Sequence, residues 1–212
     1  ISELNKIFEI KKPNIKIITR AKLPIKKTRD AEIIVFKFNN EPKEYFCILI
    51  NNNDIENSFQ LLPTVRIHSQ CVTGDIFHSL KCDCGEQLNK SLDIMVENGK
   101  GVLIYLPQEG RDIGLTNKIR SYKLQEDGLD TVDANLTLGF RDDERSYDVA
   151  VAILKKLNFK KINLITNNPN KVKKLNDEGL EVMKTIKLKI EPNEINKEYL
   201  NTKKIKSNHI FE

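Results

Sequence analysis

Hydrophobic and polar positions follow one pattern near the start of the chain and another further along. The first part has short β-branched and aromatic runs separated by proline, asparagine and charge, which predicts an antiparallel sheet. Further along, buried-strand patterns at 101–107 and 161–166 are each followed by a stretch with helical periodicity. The predicted strands are residues 15–19, 32–38, 45–50, 64–68, 101–107 and 161–166.

Helical periodicity marks the segments between the later strands. Residues 85–99 carry apolar side chains at 88, 92, 95 and 96 and end in Asn-Gly, as an amphipathic helix does. Gly128 is the predicted C-terminal cap of the next helix. The order of elements predicts an α+β fold, in which strands alternating with helices form a layer fused to the N-terminal antiparallel sheet. The other predicted helices are 115–127, 145–157, 170–178 and a short one within 193–212 that continues into a loose tail.

Length and hydropathy exclude a membrane protein. The chain has 212 residues, and no apolar run approaches the ~20 residues that cross a bilayer. Lys6, Lys11 and Lys12 interrupt any signal-peptide core at the start. We therefore predict a cytoplasmic protein with no membrane partner, with a removed leader as an open alternative because the chain begins at Ile1.

The net charge of +5 does not by itself indicate nucleic-acid binding. Lysine supplies 28 of the 35 cationic residues along the whole chain, beside 22 asparagines, which is a compositional bias. Arginine is informative because it clamps phosphate or carboxylate through two hydrogen bonds, and five of the seven arginines lie between 66 and 145. All nine glycines lie between 74 and 179, where they permit binding loops. The middle of the chain is the predicted functional part.

Three of the four cysteines are clustered. Cys71, Cys82 and Cys84 have the spacing C-x10-C-x-C, whereas Cys47 lies in an apolar strand and is predicted to be a core residue. Thiols without a function are the default for scattered cysteines, and clustering makes that explanation weaker. Thiolates at this spacing suit Zn²⁺.

The spacing leaves two kinds of zinc site open. A structural site needs a fourth protein ligand, which His68 or His78 could supply. A catalytic site keeps three protein ligands and leaves the fourth position to water, whose pKa falls to about 7. Because His68 lies in the alternating pattern of a predicted strand, it is more typical of a hydrogen-bonded polar residue than of a metal ligand.

Two predicted strand ends carry groups that suit a purine nucleotide. Glu109 follows the strand 101–107, where α/β sheets present ligand-binding loops, and a carboxylate can accept from the N1–H and amino group of guanine. Arg111 would then face phosphate. Thr166 and Lys171 flank the start of a helix, a ready anion site, although a capping turn explains the same residues equally well.

Four sequence blocks resemble the GTP cyclohydrolase II family, in an order that runs from about 21–24 to 196–203. The resemblance implies a single catalytic domain over 1–212 that converts GTP to a diamino-ribosylamino-pyrimidinone phosphate, formate and pyrophosphate, the first step of riboflavin biosynthesis. It also implies one Zn²⁺ per subunit, Mg²⁺ with the GTP phosphates and a homodimer, with no nucleic-acid partner. The blocks are RIHSQCVTGDIFHSLKCDCGEQL (66–88), YLPQEGRDIGLTNKIRSY (105–122), DTVDANLTLGF (130–140) and LITNNPNKV (164–172).

The resemblance assigns roles to individual residues. Cys71, Cys82 and Cys84 match zinc ligands that leave one position to the water attacking C8 of guanine. Tyr122 matches a tyrosine of the ring-opening steps, and Asp143 matches the proposed proton acceptor. The positions that match GTP-contacting residues are Arg66, Ile67, His68, Ser69, Gln70, Gln87, Glu109, Gly110, Arg111, Thr131, Thr166 and Lys171.

Arg145 matches the family's proposed nucleophile on the α-phosphate, a role that conflicts with its chemistry. A guanidinium is protonated at any ordinary pH and therefore attacks poorly. A clamp that stabilises charge as pyrophosphate leaves is the physical alternative, and the sequence leaves the two roles open. From residue type alone, Asp143 and Arg145 are also typical of a capped helix end.

Three residues depart from the family pattern and keep alternative functions open. Pro107 and Lys81 stand where the family has arginine, and Gln70 stands where it has glutamate. These changes affect cations and a carboxylate near the predicted metal and triphosphate. The alternatives are a homologue that stops at the formamide, one that only binds a purine nucleotide, and a zinc-stabilised nucleic-acid-binding module.

Overall fold

Seven strands form one continuous mixed sheet in a computed structural model that describes residues 14–50, 62–141, 143–197 and 199–201. The strands are β1 (Ile15–Lys22), β2 (Ala31–Phe38), β3 (Glu44–Ile50), β4 (Thr64–Ser69), β5 (Gly101–Leu106), β6 (Lys161–Ile165) and β7 (Glu181–Ile186). Their order across the sheet is β1-β2-β3-β5-β4-β6-β7.

The predicted α+β fold is confirmed, and its two parts share this sheet. β1, β2 and β3 pair antiparallel as successive strands, and β3 pairs antiparallel with β5. From there the pairing is parallel: β4 lies between β5 and β6, and β6 pairs with β7. The carboxyl ends of β4, β5 and β6 therefore meet at one edge of the sheet.

The predicted helices are found with shifts of one to three residues at their ends. Gly128, the predicted cap, has φ +100° and follows the third helix, as a C-terminal glycine does. Lys197 and residues 199–201 are helical, whereas residues 202–212 of the predicted tail lie outside the described residues. The helices are α1 (Val72–Asp75), α2 (Cys84–Glu97), α3 (Gly114–Glu126), α4 (Thr131–Thr137), α5 (Asp148–Lys156) and α6 (Pro169–Asp177).

The prediction of a helix over 145–157 was wrong at its start, because α5 begins at Asp148. Arg145 is held in the preceding loop, where its guanidinium pairs with Asp143. The Ser146 hydroxyl then accepts from the Asp148 amide, which stabilises the turn into the helix. The sequence patterns also did not predict α4 or β7.

The inner strands of the sheet are the most buried, and alternation along them divides the core in two. Leu49 and Ile104 face the larger cluster, which α5 and α6 cover. Ile48 and Leu103 face the opposite cluster, which contains Met95 of α2. Cys47 is a fully buried core residue as predicted, and burial raises the pKa of its thiol to about 12. Among the described helices, none has the length and apolar character that a bilayer crossing requires.

Candidate active site

A cavity of about 560 Å³ lies at the edge where the parallel strands end. All of the predicted site residues line it, although the patterns that suggested them are far apart in sequence. Parallel strands explain the convergence, since their following loops share one edge of the sheet. They are Arg66, Ile67, His68, Ser69, Gln70, Cys71, Cys82, Cys84, Gln87, Glu109, Gly110, Arg111, Tyr122, Thr131, Asp143, Arg145, Thr166 and Lys171.

The three clustered cysteines bring their sulfurs together at one wall of the cavity. The Sγ atoms of Cys71, Cys82 and Cys84 all lie within 4.8 Å of one another. Cys71 follows β4, and Cys84 begins α2, so short secondary elements fix both ends of the loop. A Cβ atom at Gly74 would lie 2.9 Å from the Cys82 Sγ, so this close approach requires glycine. Three converging sulfurs could hold a metal ion.

His68 is not part of the sulfur cluster. Its Nε2 lies 3.0 Å from Oδ1 of Asp75, and the same carboxylate accepts from the Cys71 amide and the Tyr105 hydroxyl. Burial lowers the pKa of His68 more than Asp75 raises it, which favours a neutral ring. Within the described residues, the metal-ligand group contains neither His68 nor His78. The structure thus favours the open, three-ligand site over the structural site with a histidine.

Lys118 of α3 is a buried cation beside the sulfurs. Its Nζ lies 3.0 Å from the Cys71 Sγ, 2.9 Å from the Thr73 Oγ1 and 2.7 Å from Oε1 of Glu109. Burial alone would lower the pKa of Lys118, but its hydrogen bond to Glu109 raises it above the usual value. Hydrogen bonds from the thiols of Cys82 and Cys84 lower the pKa of Cys71, and Lys118 adds to that effect.

Glu109 joins the loop after β5 to the cysteine loop. Its Oε2 accepts from the Val72 amide at 2.6 Å, and its Oε1 accepts from the Gly110 amide at 3.1 Å as well as from Lys118. The side chain is 8% exposed. These contacts fix the carboxylate against both loops, and contact with a guanine edge remains a prediction.

The loop after Glu109 has an unusual backbone. Gly110, Arg111 and Asp112 have φ values of +62°, +62° and +74°, so three successive residues occupy the left-handed region. Non-glycine residues adopt this region at an energetic cost, and such strain is concentrated at functional sites. The Arg111 carbonyl accepts from the Glu144 amide at 3.2 Å. This turn thereby fastens the glutamate loop to the segment that carries Asp143 and Arg145.

Asp143 and Arg145 form an ion pair with two parallel hydrogen bonds. The Arg145 Nε donates to Oδ1 at 2.8 Å, and Nη2 donates to Oδ2 at 2.7 Å. Burial would raise the pKa of Asp143, yet the hydrogen bonds from Arg145 hold it below its usual value. Burial would lower the pKa of Arg145, but the neighbouring Tyr147 and Asp143 raise it. Both groups are therefore held in their charged forms.

Two more buried cations face the same part of the cavity. Arg66 donates to the Ile165 carbonyl and to Oε1 of Gln87, and burial lowers its pKa. The Lys171 Nζ donates to the Ile67 carbonyl at 3.0 Å and lies 4.9 Å from the centre of the Tyr147 ring. With Arg145, they make an electropositive region that suits an oligophosphate.

The anion site predicted at the start of α6 is occupied by the chain's own capping contacts. Asn168 caps the helix by accepting from the Asn170 amide, and the Thr166 Oγ1 accepts from the Asn168 amide. The capping interpretation is therefore correct for the local geometry. Thr166 and Lys171 nevertheless line the cavity, so their predicted contact with a ligand remains open to test.

Comparison with known protein families shows which family the chain belongs to. The GTP cyclohydrolase II family model matches residues 16–187. The chain belongs to the GTP cyclohydrolase II family. It is 45% identical to the GTP cyclohydrolase-2 of Histophilus somni over 93% of this chain and 89% of that protein. It is 43% identical to the GTP cyclohydrolase-2 of Haemophilus influenzae over 92% and 88%, respectively.

Longer relatives match only in part. The riboflavin biosynthesis protein RibBA of Chlorobium phaeovibrioides is 53% identical over 147 residues, which is 69% of this chain. That alignment spans 36% of the RibBA protein's own length, so the matched part of this chain covers about a third of that protein.

The three departures from the GTP cyclohydrolase II pattern occupy different places. The backbone amide of Gln70 donates to the Leu106 carbonyl at 2.8 Å, and this residue lines the cavity together with Cys71. Lys81 lies 4.9 Å from the centre of the Tyr122 ring and pairs with Glu126 at the surface. Pro107 is half-buried where β5 ends.

Several lining residues are not among the predicted site residues. One of them is Lys118, which lies four residues before Tyr122 on α3. Residues at this spacing share a face of a helix, so the sequence could have indicated that Lys118 lines the cavity with Tyr122. The buried residue Tyr147 also lines the cavity, and its hydroxyl has no hydrogen-bond partner within the described part of the chain. Tyr199 reaches the cavity from the C-terminal segment, which no local sequence pattern indicates.

Proposed function

We propose that this chain hydrolyses GTP, opens the imidazole ring at C8 and releases formate and pyrophosphate to form 2,5-diamino-6-(5-phosphoribosylamino)pyrimidin-4(3H)-one. This is the first step of riboflavin biosynthesis. The observation that carries the proposal is one cavity lined both by the three-cysteine cluster and by the cations Arg66, Arg145 and Lys171. Membership of the GTP cyclohydrolase II family supports the same reaction.

The cysteine cluster fits Zn²⁺. Cys71 and Cys82 have their Sγ atoms 3.6 Å apart, close to the ~3.8 Å expected for two sulfurs at tetrahedral zinc with bonds of about 2.3 Å. Lys118 and the neighbouring thiols favour the thiolate form of Cys71, which a metal requires. Zn²⁺ held by these cysteines supplies Lewis acidity, which activates water at neutral pH. Mg²⁺ would accompany the GTP phosphates.

Three hydrolytic events account for the products. Water adds at C8 and the ring opens to a formamide, a second water releases formate, and a third displaces pyrophosphate from the α-phosphorus. Tyr122 lies beside the sulfurs with its hydroxyl 3.5 Å from the Thr73 Oγ1. Burial raises the pKa of Tyr122, so the neutral phenol can donate a proton or orient water during ring opening.

For Arg145 we infer a phosphate clamp rather than a nucleophile. Its raised pKa and its two hydrogen bonds to Asp143 keep the guanidinium protonated, so it lacks the lone pair that attack requires. A fixed cation instead stabilises the negative charge that develops as pyrophosphate leaves. Asp143 holds the guanidinium in place. Glu109 is the proposed purine-contacting carboxylate, and the homodimer is proposed on family resemblance alone.

A turnover assay tests the proposal. Zinc-loaded chain is supplied with GTP and Mg²⁺, formate and pyrophosphate are followed together, and the nucleotide product is identified. We expect stoichiometric release of both, lost in Cys82→Ser and retained in Cys47→Ala, because Cys47 is a core residue outside the cavity.

Other outcomes favour the alternatives. A formamide product without formate would indicate a homologue that stops early and would direct attention to Gln70 and Pro107. GTP binding without any product would indicate a nucleotide-binding homologue. Steep salt-dependent binding of nucleic acid, with no turnover, would favour the zinc-stabilised nucleic-acid module.

A further inference from the structure

The chain after β7 is fastened across the same edge of the sheet that carries the cavity. Asn167, which follows β6, donates to the Leu188 carbonyl at 2.6 Å and accepts from the Leu188 amide at 2.7 Å. Lys90 of α2 donates to the Lys189 carbonyl at 2.7 Å. These bonds begin a segment, described at residues 187–197 and 199–201, that we term the C-terminal strap.

A capped turn anchors the middle of the C-terminal strap to the cysteine loop. The Asn193 Oδ1 accepts from the Ile195 and Asn196 amides, and the Asn193 amide donates back to Oδ1 of Asn196. Asn196 is fully buried. The Asn193 Nδ2 also donates to the carbonyl of Leu80, a residue between Cys71 and Cys82 in sequence. The strap is therefore attached to the loop that carries the sulfurs.

The far end of the C-terminal strap places Tyr199 in the wall of the cavity. The Leu200 amide donates to the Asn196 carbonyl, and Leu200 is buried, so the neighbouring helical turn is fixed in the core. Tyr199 is half-buried and lines the cavity that Arg145 and Lys171 also line. It lies close enough to Arg145 to interact with it electrostatically.

We propose that Tyr199 is a further substrate-contacting residue, which the C-terminal strap delivers to the phosphate-binding side of the cavity next to Arg145. This inference rests on the proposed function, because Arg145 is there the phosphate clamp. A phenol hydroxyl at this place donates a hydrogen bond to a phosphate oxygen, and hydrogen bonds to charged groups are the stronger ones.

Equilibrium binding separates this role from a structural one. Calorimetric titration of the zinc-loaded full chain uses two probes, pyrophosphate with Mg²⁺ and guanosine. We expect Tyr199→Phe to weaken pyrophosphate binding by about tenfold and to leave guanosine binding unchanged. Tyr45→Phe is the matched control, because the Tyr45 hydroxyl bonds Glu41 away from the cavity and its loss should change neither affinity.

A second variant tests delivery by the C-terminal strap. Asn193→Asp retains the acceptor for the Ile195 and Asn196 amides but loses the donor to the Leu80 carbonyl. We expect it to weaken pyrophosphate binding in the same direction as Tyr199→Phe. Unchanged pyrophosphate affinity in Tyr199→Phe, or an equal loss for guanosine, would overturn the inference. Absence of GTP turnover in the unsubstituted chain would instead count against the proposed function, since the binding titration does not require turnover.

Discussion

The Nζ atom of Lys118 lies 3.0 Å from the Sγ atom of Cys71, and Glu109 accepts from the same ammonium group. A buried cation thus links the proposed metal ligand to the proposed purine-contacting carboxylate. The position also explains how Lys118 stays charged in spite of burial, because its ammonium group pairs with the Glu109 carboxylate. Lys118 therefore couples the cysteine loop to the loop after β5.

Removal of the Lys118 ammonium group should destabilise the folded chain. Lys118→Met leaves the Glu109 carboxylate buried without its partner, and we expect the free energy of unfolding to fall by about 3–5 kcal/mol. Denaturant unfolding of the zinc-loaded chain measures the change. Lys123→Met on the same helix is the control: the Lys123 side chain is 71% exposed and its ion pairs lie at the surface, so we expect a change of at most about 0.5 kcal/mol. A similar small change in both variants would contradict the coupling.

The cysteine cluster should not tolerate a methyl group at Gly74. A Cβ there would lie 2.9 Å from the Cys82 Sγ and 3.1 Å from the Cys71 Sγ, so at least one sulfur must move. We expect Gly74→Ala to weaken zinc binding by about 10- to 100-fold, measured by chelator competition. Gly99→Ala has open space but a φ of +71°, so it should cost roughly 1 kcal/mol of stability with normal zinc affinity. Equal zinc affinity in the two variants would show that zinc binding does not need the close approach of Gly74 to the sulfurs.

The parts predictable from sequence are those with strong local signals. β2, β3 and β5 are runs rich in β-branched, aromatic and other apolar residues, and the predicted bounds agree with the observed bounds to within one residue. β7 was missed because it is an edge strand with mostly exposed positions. α4 was missed because it has only seven residues, too few for a clear helical period.

The site was predictable where a motif carried the chemistry and not where the fold assembles it. The cysteine spacing indicated the cluster of three sulfurs that could hold a metal ion. The partnership of Lys118 with Cys71 and Glu109 depends on how α3 packs against two loops, which no local pattern specifies. Tyr199 is more remote still, because hydrogen bonds from Asn167 and Asn193 determine where its segment lies. The contacts that the sequence patterns did not predict are therefore those between residues far apart in sequence.

The ion pair of Asp143 and Arg145 should make stability depend on pH in the acid range. Because the folded-state pKa of Asp143 lies below that of an unfolded carboxyl, about 3.9, its contribution is complete above that value and is lost as the pH falls through the folded-state pKa. We expect Asp143→Asn to be less stable than the unsubstituted chain at pH 6. The difference should shrink as the pH is lowered below about 4.

Unfolding titrations of both chains at several pH values measure this difference. Asp93→Asn serves as the control, since its carboxylate pairs with Lys27 at the surface and is 46% exposed. If the difference in free energy of unfolding between Asp143→Asn and the unsubstituted chain stays constant down to pH 3, the prediction is wrong. The interaction of Arg145 with this side chain would then not depend on the carboxylate charge.

Tyr147 provides a test of a buried hydroxyl. Its ring packs under Lys171, and its hydroxyl lacks a hydrogen-bond partner within the described residues, so the folded chain bears the desolvation cost of that group. Tyr147→Phe removes the hydroxyl and keeps the ring, and we expect the free energy of unfolding to rise by about 1 kcal/mol. Tyr45→Phe should have the opposite sign, because the Tyr45 hydroxyl donates to Oε2 of Glu41 at 2.6 Å. Denaturant unfolding of the two variants side by side decides the matter: destabilisation by Tyr147→Phe as large as that by Tyr45→Phe would mean that the Tyr147 hydroxyl is hydrogen-bonded in the folded chain.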